Sequence, residues 1–185
     1  MRKEARRQFI HFCFGSLFIA IAALQGIEFT RVLLAVVFAI GLLVSFLIKR
    51  GAKIPVVMQV VERVERDYEK RLPGKGALLF FLGAIILMLL FQEKMVVLGA
   101  LCVAVYGDAA STVFGIAFGR HRIAGKKTIE GTVGGIAASF AFLQLLFPWD
   151  IALAAAVIGM LAELLPFDDN FTIPIAVAAA LTILL

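Results

Sequence analysis

The sequence predicts an all-α integral membrane protein of about seven transmembrane helices, with one amphipathic helix on the cytoplasmic surface. Three observations predict it. First, 62% of the 185 residues are hydrophobic and mean hydropathy is +1.01, whereas a soluble domain is nearer half apolar. Second, the excess lies in continuous apolar runs, the pattern of membrane helices and not of a barrel's alternating strands. Third, the basic residues gather in alternate connections between those runs, as the positive-inside rule requires.

The whole chain, 1–185, reads as one polytopic domain. Its opening, MRKEARRQFIHFCFGSLFIAIAALQG, joins a basic start to an apolar run and to Ala20-Ile21-Ala22, features that a secretory signal shares. The length of the run and the later spans favour a retained first span over 9–27. The further spans are expected over 31–48, 77–91, 95–118, 132–148, 151–165 and 171–185. The third, sixth and seventh are short: fifteen residues cover about 22 Å against a hydrocarbon core of ~30 Å. They therefore stand upright, thin the bilayer locally, or are re-entrant.

Of the 18 Lys and Arg, only Arg31 and Lys94 fall outside the N-terminus and the connections 49–76 and 119–131. The N-terminus and these two connections are thus expected in the cytoplasm. The net charge of +5 and a pI near 9.5 attract anionic headgroups or phosphates. Basic residues lying between apolar spans argue against a nucleic-acid partner. In the 49–76 connection, Val57, Val60, Val61, Val64, Tyr68 and Leu72 recur at helical spacing. Glu62–Arg66 and Asp67–Arg71 form i,i+4 pairs. This pattern predicts an interfacial helix over about 54–72, ended by Pro73-Gly74. Cys13 and Cys102 lie inside apolar runs with no metal-ligand spacing, and read as small buried hydrophobes.

The chemistry concentrates in 106–135, YGDAASTVFGIAFGRHRIAGKKTIEGTVGG. An ionisable residue within a span costs on the order of 2.5–3.5 kcal/mol at the bilayer centre, so Asp108 requires a polar pocket. Ser111, Thr112, Gly115 and Gly119 share its helix face. The Gly115–Gly119 pair also suits helix packing, but packing alone does not account for Asp108. In the next connection Gly125-Lys126-Lys127-Thr128 suits phosphate oxygens, with cations, a hydroxyl and exposed backbone N–H groups. It is not a Walker A loop, because Arg120 stands where that motif needs glycine. Thr128 also suits a helix cap; Glu130 and Gly131 lead into span five. A second acidic group, Glu163, Asp168, Asp169 and Asn170, falls on the same expected side. Carboxylates facing lysines suit Mg²⁺ carrying a polyphosphate, although Asp169 or Asn170 also suits capping of span seven, with Pro174 in its first turn. Glu4, Arg7 and His11 share a helix face at the start, where Arg7 and His11 suit a phosphate or headgroup contact.

These residues resemble the polyprenol/dolichol kinase family, which includes CTP-dependent diacylglycerol and phytol kinases within the wider group of membrane CTP-using enzymes. The likeness rests on Gly107-Asp108-Ala109-Ala110-Ser111, Gly115, Gly119 and Lys127-Thr128-Ile129-Glu130-Gly131. It is extended by Asp169-Asn170 before Pro174 and by the Glu4, Arg7, His11 opening, where Gln8 replaces the family's lysine. The S-x-x-K-R…K-D…G-H-G-G…D-R block typical of phosphatidate cytidylyltransferases is absent. The resemblance implies a lipid-alcohol kinase using CTP and Mg²⁺. In that reading Asp108, with Asp168 or Asp169, holds Mg²⁺. Lys127 and Thr128, supported by Lys126 and Ser111, bind the nucleotide phosphates, and Gly131 and Asn170 belong to the same nucleotide site. Glu130 positions the loop or the metal, and Glu163 or Asp169 orients or deprotonates the lipid hydroxyl. The partners implied are a lipid alcohol, CTP and the bilayer, and a homo-oligomer stays open. The rival readings are a CTP:lipid-phosphate cytidylyltransferase, a small transporter and a structural membrane subunit. The enzyme readings require residues 108, 127 and 169 to converge.

Overall fold

The computed structural model describes residues 2–52, 54, 55, 59 and 73–185. Over these residues the chain forms helices α1 (Arg2–Gln25), α2 (Ile27–Lys49), α3 (Lys75–Leu90) and α4 (Lys94–Cys102). A π-helical segment (Val103–Gly107) leads into α5 (Asp108–Phe118), and a short hairpin comes next, β1 (Arg122–Ala124) with β2 (Lys127–Thr128). Helices α6 (Ile129–Leu143), α7 (Trp149–Ala162) and α8 (Asp169–Leu184) complete the fold. The expected helix over about 54–72 falls almost wholly outside the described residues.

A helix occupies each of the seven expected apolar segments, but length divides them. Arg6–Gln25, Ile27–Lys49 and Lys94–Phe118 are long and apolar enough to cross a membrane. Helices α3, α6, α7 and α8 have 16, 15, 14 and 16 residues, about 21–24 Å each. The expectation of seven spans therefore reduces to three helices of spanning length among the described residues. The segment expected as 132–148 stops at Leu143, with Pro148 preceding α7.

Hydrophobic patterning sets the positions. Helix α4 is apolar all round, and Val96 through Cys102 are all buried, as expected of a central helix. Helix α2 buries only Ile27, Thr30, Leu34 and Ser45. Its Val32, Val36, Ile40, Leu43 and Phe46 stay exposed, an apolar surface that suits lipid. The span expected over 95–118 is not plain α-helix throughout. The π-helical turn at 103–107 inserts a residue and rotates the downstream helix by about 100°. Asp108 begins the α-helix directly after it.

The connection after α5 is an antiparallel hairpin and not an open loop, pairing Arg122 with Thr128 and Ala124 with Lys127. Gly125 turns it at φ +54, a region that glycine enters without steric cost. Thr128 then caps α6, its Oγ1 accepting from Gly131 N–H at 3.2 Å. Helices α5 and α6 approach so closely that a Cβ on Gly131 would lie 2.7 Å from the Ser111 carbonyl oxygen.

Candidate active site

A cavity of about 820 Å³ lies where the start of α1, the start of α3, α5, the hairpin, the end of α7 and the start of α8 meet. Its polar lining includes Asp108, Ser111, Thr112, Lys126, Lys127, Thr128, Glu163 and Asp169. Ile10, Phe14, Phe80, Phe81 and Ile116 supply an apolar flank.

Three carboxylates converge there. One ligand oxygen each from Asp108, Glu163 and Asp169 lie within 4.8 Å of one another. They come from the first residue of α5, the residue after α7 and the first residue of α8. The Lys127 ammonium on β2 sits among them, 2.5 Å from Glu163 Oε1 and 2.8 Å from Asp169 Oδ2. Burial alone would pull the lysine's pKa down. The charges of Asp108, Glu163 and Asp169 outweigh it and hold the pKa above the ordinary value. Residues 108, 127 and 169 thus converge as the sequence reading requires.

Glu163 is the deepest member, 2% exposed. Ser111 Oγ donates to its Oε1 at 2.5 Å. Its other oxygen, Oε2, is buried with no hydrogen-bond partner. An orphaned carboxylate oxygen in a cluster of three carboxylates fits a hard divalent cation, which takes oxygen ligands. Asp108, Glu163 and Asp169 are the residues that would hold it.

Of the two alternatives expected beside Asp108, Asp169 belongs to this cluster. Asp168 is the N-cap of α8, and its Oδ1 accepts from the Asn170 N–H at 3.1 Å and from Asn170 Nδ2 at 2.8 Å. Asp168 therefore fills the capping role expected of Asp169 or Asn170. That leaves Asp169 free to point at Lys127 and keeps the Asn170 side chain at the helix end. Pro174 is the sixth residue of α8, beyond its first turn. Lacking an N–H, it leaves the Asn170 carbonyl without its helical donor. That carbonyl lies against α3, where a Cβ on Gly83 would be 2.1 Å from it.

Glu130 faces elsewhere. Its carboxylate accepts from the backbone N–H groups of Arg120 and His121 at 3.1 and 3.3 Å and pairs with His121 Nδ1 at 2.7 Å. The His121 contact, aided by these N–H groups, lowers its pKa to about 2. Glu130 is a clasp across the base of the hairpin, so the loop-positioning part of its expected role fits and the metal part does not. It also gives His121 a defined partner.

At the opening of α1, Arg7 and His11 both line the cavity. Arg7 is held by Glu4, 2.5 Å from Nη2 to Oε1. His11 packs edge-on to Phe80, with ring centroids 4.7 Å apart, and its Nε2 lies 3.5 Å from the Ala104 carbonyl oxygen. Sequence reasoning missed the site role of Gln8, which is 3% exposed. Its Nε2 donates to Thr112 Oγ1 at 2.9 Å and reaches Asp108 Oδ2 at 3.5 Å. Its position between Glu4 and His11 on one helix face was the available signal.

The profile of the Cytidylyltransferase family matches residues 1–183. The chain belongs to the cytidylyltransferase family. A relative of Methanocaldococcus jannaschii, named uncharacterized protein MJ1137, is 33% identical over 183 residues, which cover 95% of this chain and 91% of that protein. No solved structure matches the chain. Family membership supports an enzyme of the transferase kind, and the apolar helices are compatible with a membrane protein.

Proposed function

We propose that this member of the cytidylyltransferase family is a CTP-using, Mg²⁺-dependent kinase that phosphorylates a membrane lipid alcohol at the cytoplasmic face. The observation that carries the proposal is the convergence of Asp108, Glu163 and Asp169 around Lys127 in a cavity with an apolar flank. Phosphoryl transfer needs alignment and charge neutralisation more than covalent chemistry from the protein. When bound, Mg²⁺ supplies charge neutralisation to the phosphates. Lys127 is the cation that meets the phosphate oxygens, and Lys126 at the hairpin turn adds a second. Ser111 fixes Glu163 through its hydroxyl. Asp169, at the mouth of α8, orients the acceptor hydroxyl and takes its proton. The apolar flank excludes water and accommodates the first part of the lipid tail.

A second reading is equally compatible with family membership: a lipid phosphate attacks the α-phosphorus of CTP, pyrophosphate leaves and a CDP-lipid forms. Labelled CTP separates the two. The purified protein is given CTP labelled at the γ- or the α-phosphorus, with a panel of polyprenols, phytol, geranylgeraniol, diacylglycerol and the corresponding lipid phosphates. The γ-label entering lipid supports the kinase, and the α-label entering lipid supports the transferase. Lipid that stays unlabelled in every pairing refutes both. Asp108→Asn should abolish whichever transfer is seen while the protein still inserts normally.

A further inference from the structure

Six threonines occur in the chain, and the hydroxyls of five have a partner. Thr30, Thr172 and Thr182 donate to the carbonyl oxygen four residues back, at 2.8, 3.4 and 2.8 Å. Thr112 accepts from Gln8, and Thr128 accepts from the Gly131 N–H. Thr132 is the exception among the described residues. It is 7% exposed, and its Oγ1 is buried with no hydrogen-bond partner. It does not take the carbonyl one turn back that a helix offers such a residue. Yet Thr132 lines the cavity of the candidate site. A hydroxyl buried without a partner costs the fold free energy that a methyl of the same shape would not.

Packing brings Thr132 level with Glu163. Joined by the short connection 144–148, helices α6 and α7 form an antiparallel pair. A Cβ on Gly135 would meet Met160 Sδ at 2.8 Å and Ser111 Cβ at 2.9 Å. Thr132 lies one turn from Gly135 toward the start of α6, and Glu163 lies one turn from Met160 at the end of α7. One level of the site therefore carries two complementary orphans, a hydroxyl able to donate and the carboxylate oxygen Oε2. No hydrogen bond joins the two directly.

We propose that Thr132 is a binding residue of the loaded site: its hydroxyl donates to an oxygen carried on the cation at Glu163, either a bound water or a nucleotide phosphate. The hydroxyl supplies a donor without altering the charge of the carboxylate cluster. Its buried cost in the empty protein is recovered when that oxygen arrives. The inference rests on the metal role assigned to Asp108, Glu163 and Asp169.

The test compares the purified full chain with Thr132→Val, which keeps the branched shape and removes the donor. Thermal unfolding without divalent cation gives the midpoint. Electron paramagnetic resonance of free Mn²⁺ gives the Mn²⁺ affinity, and equilibrium dialysis at saturating Mn²⁺ gives the affinity for labelled CTP. The cation-free midpoint should stay within about 2 °C of the parent's or rise above it. One of the two affinities should fall about tenfold, the loss of a hydrogen bond to a charged partner. A fall in Mn²⁺ affinity identifies the oxygen as a water on the cation, and a fall in CTP affinity alone identifies a phosphate. Thr132→Ser, which returns the hydroxyl, should bind within about threefold of the parent. A hydroxyl needed only by the fold would instead lower the cation-free midpoint of Thr132→Val or prevent its folding, and either result overturns the inference. A serine variant as weak as the valine variant overturns it too. A parent that binds Mn²⁺ and CTP with affinities that Thr132→Val leaves unchanged overturns this inference alone. A parent that binds neither overturns the metal site and this inference with it.

Discussion

Replacing Glu163 by glutamine keeps the side chain's shape and removes one charge, so it separates a fold role from a site role. As a carboxylate, Glu163 attracts the Lys127 ammonium at 2.5 Å, about 6.6 kcal/mol at an effective dielectric of 20. Against this stand Asp108 and Asp169, with ligand oxygens no more than 4.8 Å away. On the same scale each repels Glu163 by at least about 3.5 kcal/mol, so the two together offset the attraction in full. Lys127 also keeps Asp169 at 2.8 Å, and the amide oxygen still accepts from Ser111. In the absence of divalent cation, Glu163→Gln should therefore unfold within about 1–2 kcal/mol of the parent. Cation binding should suffer instead. Even outer-shell partners of a metal ligand are worth 10–100-fold in affinity, so loss of a ligand charge should cost on the order of 100-fold, or about 2.7 kcal/mol. The assay is thermal unfolding in detergent over a Mg²⁺ titration, paired with turnover of CTP. The parent midpoint should climb with Mg²⁺, and the variant's should stay flat while turnover collapses. A variant with the parent's Mg²⁺ response and turnover refutes the reasoning. So does a loss of more than about 4 kcal/mol without cation, which would make Glu163 a structural ion-pair partner.

Lys127→Ala strips the ammonium from Glu163 and Asp169. It should destabilise the cation-free protein by about 3 kcal/mol, recover with Mg²⁺, and raise the apparent KM for CTP at least tenfold; denaturation and kinetics check the three effects. Because the Lys127 pKa is held above its ordinary value of 10.5, the stabilisation from its pairing is fully present below that pH. It is lost as pH rises through the raised value, so an alkaline unfolding series should show the Lys127→Ala penalty shrink only in that range. Gly83→Ala places a methyl where the Asn170 carbonyl sits, 2.1 Å away. It should cost about 1–3 kcal/mol and lower turnover by shifting Asp169, as thermal unfolding and activity of one preparation would show. Glu130, depressed to about 2 by His121 and the adjoining N–H groups, contributes fully above the ordinary carboxylate range and is lost only as pH falls through about 2. Hydrogen exchange of the Arg120 and His121 amides should stay slow at pH 3.5 in the parent and be fast in Glu130→Gln.

Much of the architecture was legible in the chain itself. Continuous apolar runs can satisfy their backbone within lipid only as helices or closed barrels, and their lack of alternation selects helices. Asp108 announced a polar site because a carboxylate in an apolar run is costly. Lys127 and Thr128 announced its cationic side, and Thr128 its cap. Span count was less legible. Hydropathy reads composition, whereas the 14–16-residue lengths of α3, α6, α7 and α8 depend on where caps and prolines end each helix.

The identity of the cluster needed the tertiary structure. Asp168 and Asp169 are adjacent and chemically equal, and only the path of the chain into α8 sends one to the backbone N–H of Asn170 and the other to Lys127. Glu163 joins Asp108 and Asp169 because α7 ends beside α5, and Gln8 reaches Asp108 across about a hundred residues of sequence. Local spacing determines which face of a helix a residue occupies. Which faces meet is settled by packing between helices far apart in the chain, at contacts as close as Gly83 on the Asn170 carbonyl and Gly131 on that of Ser111.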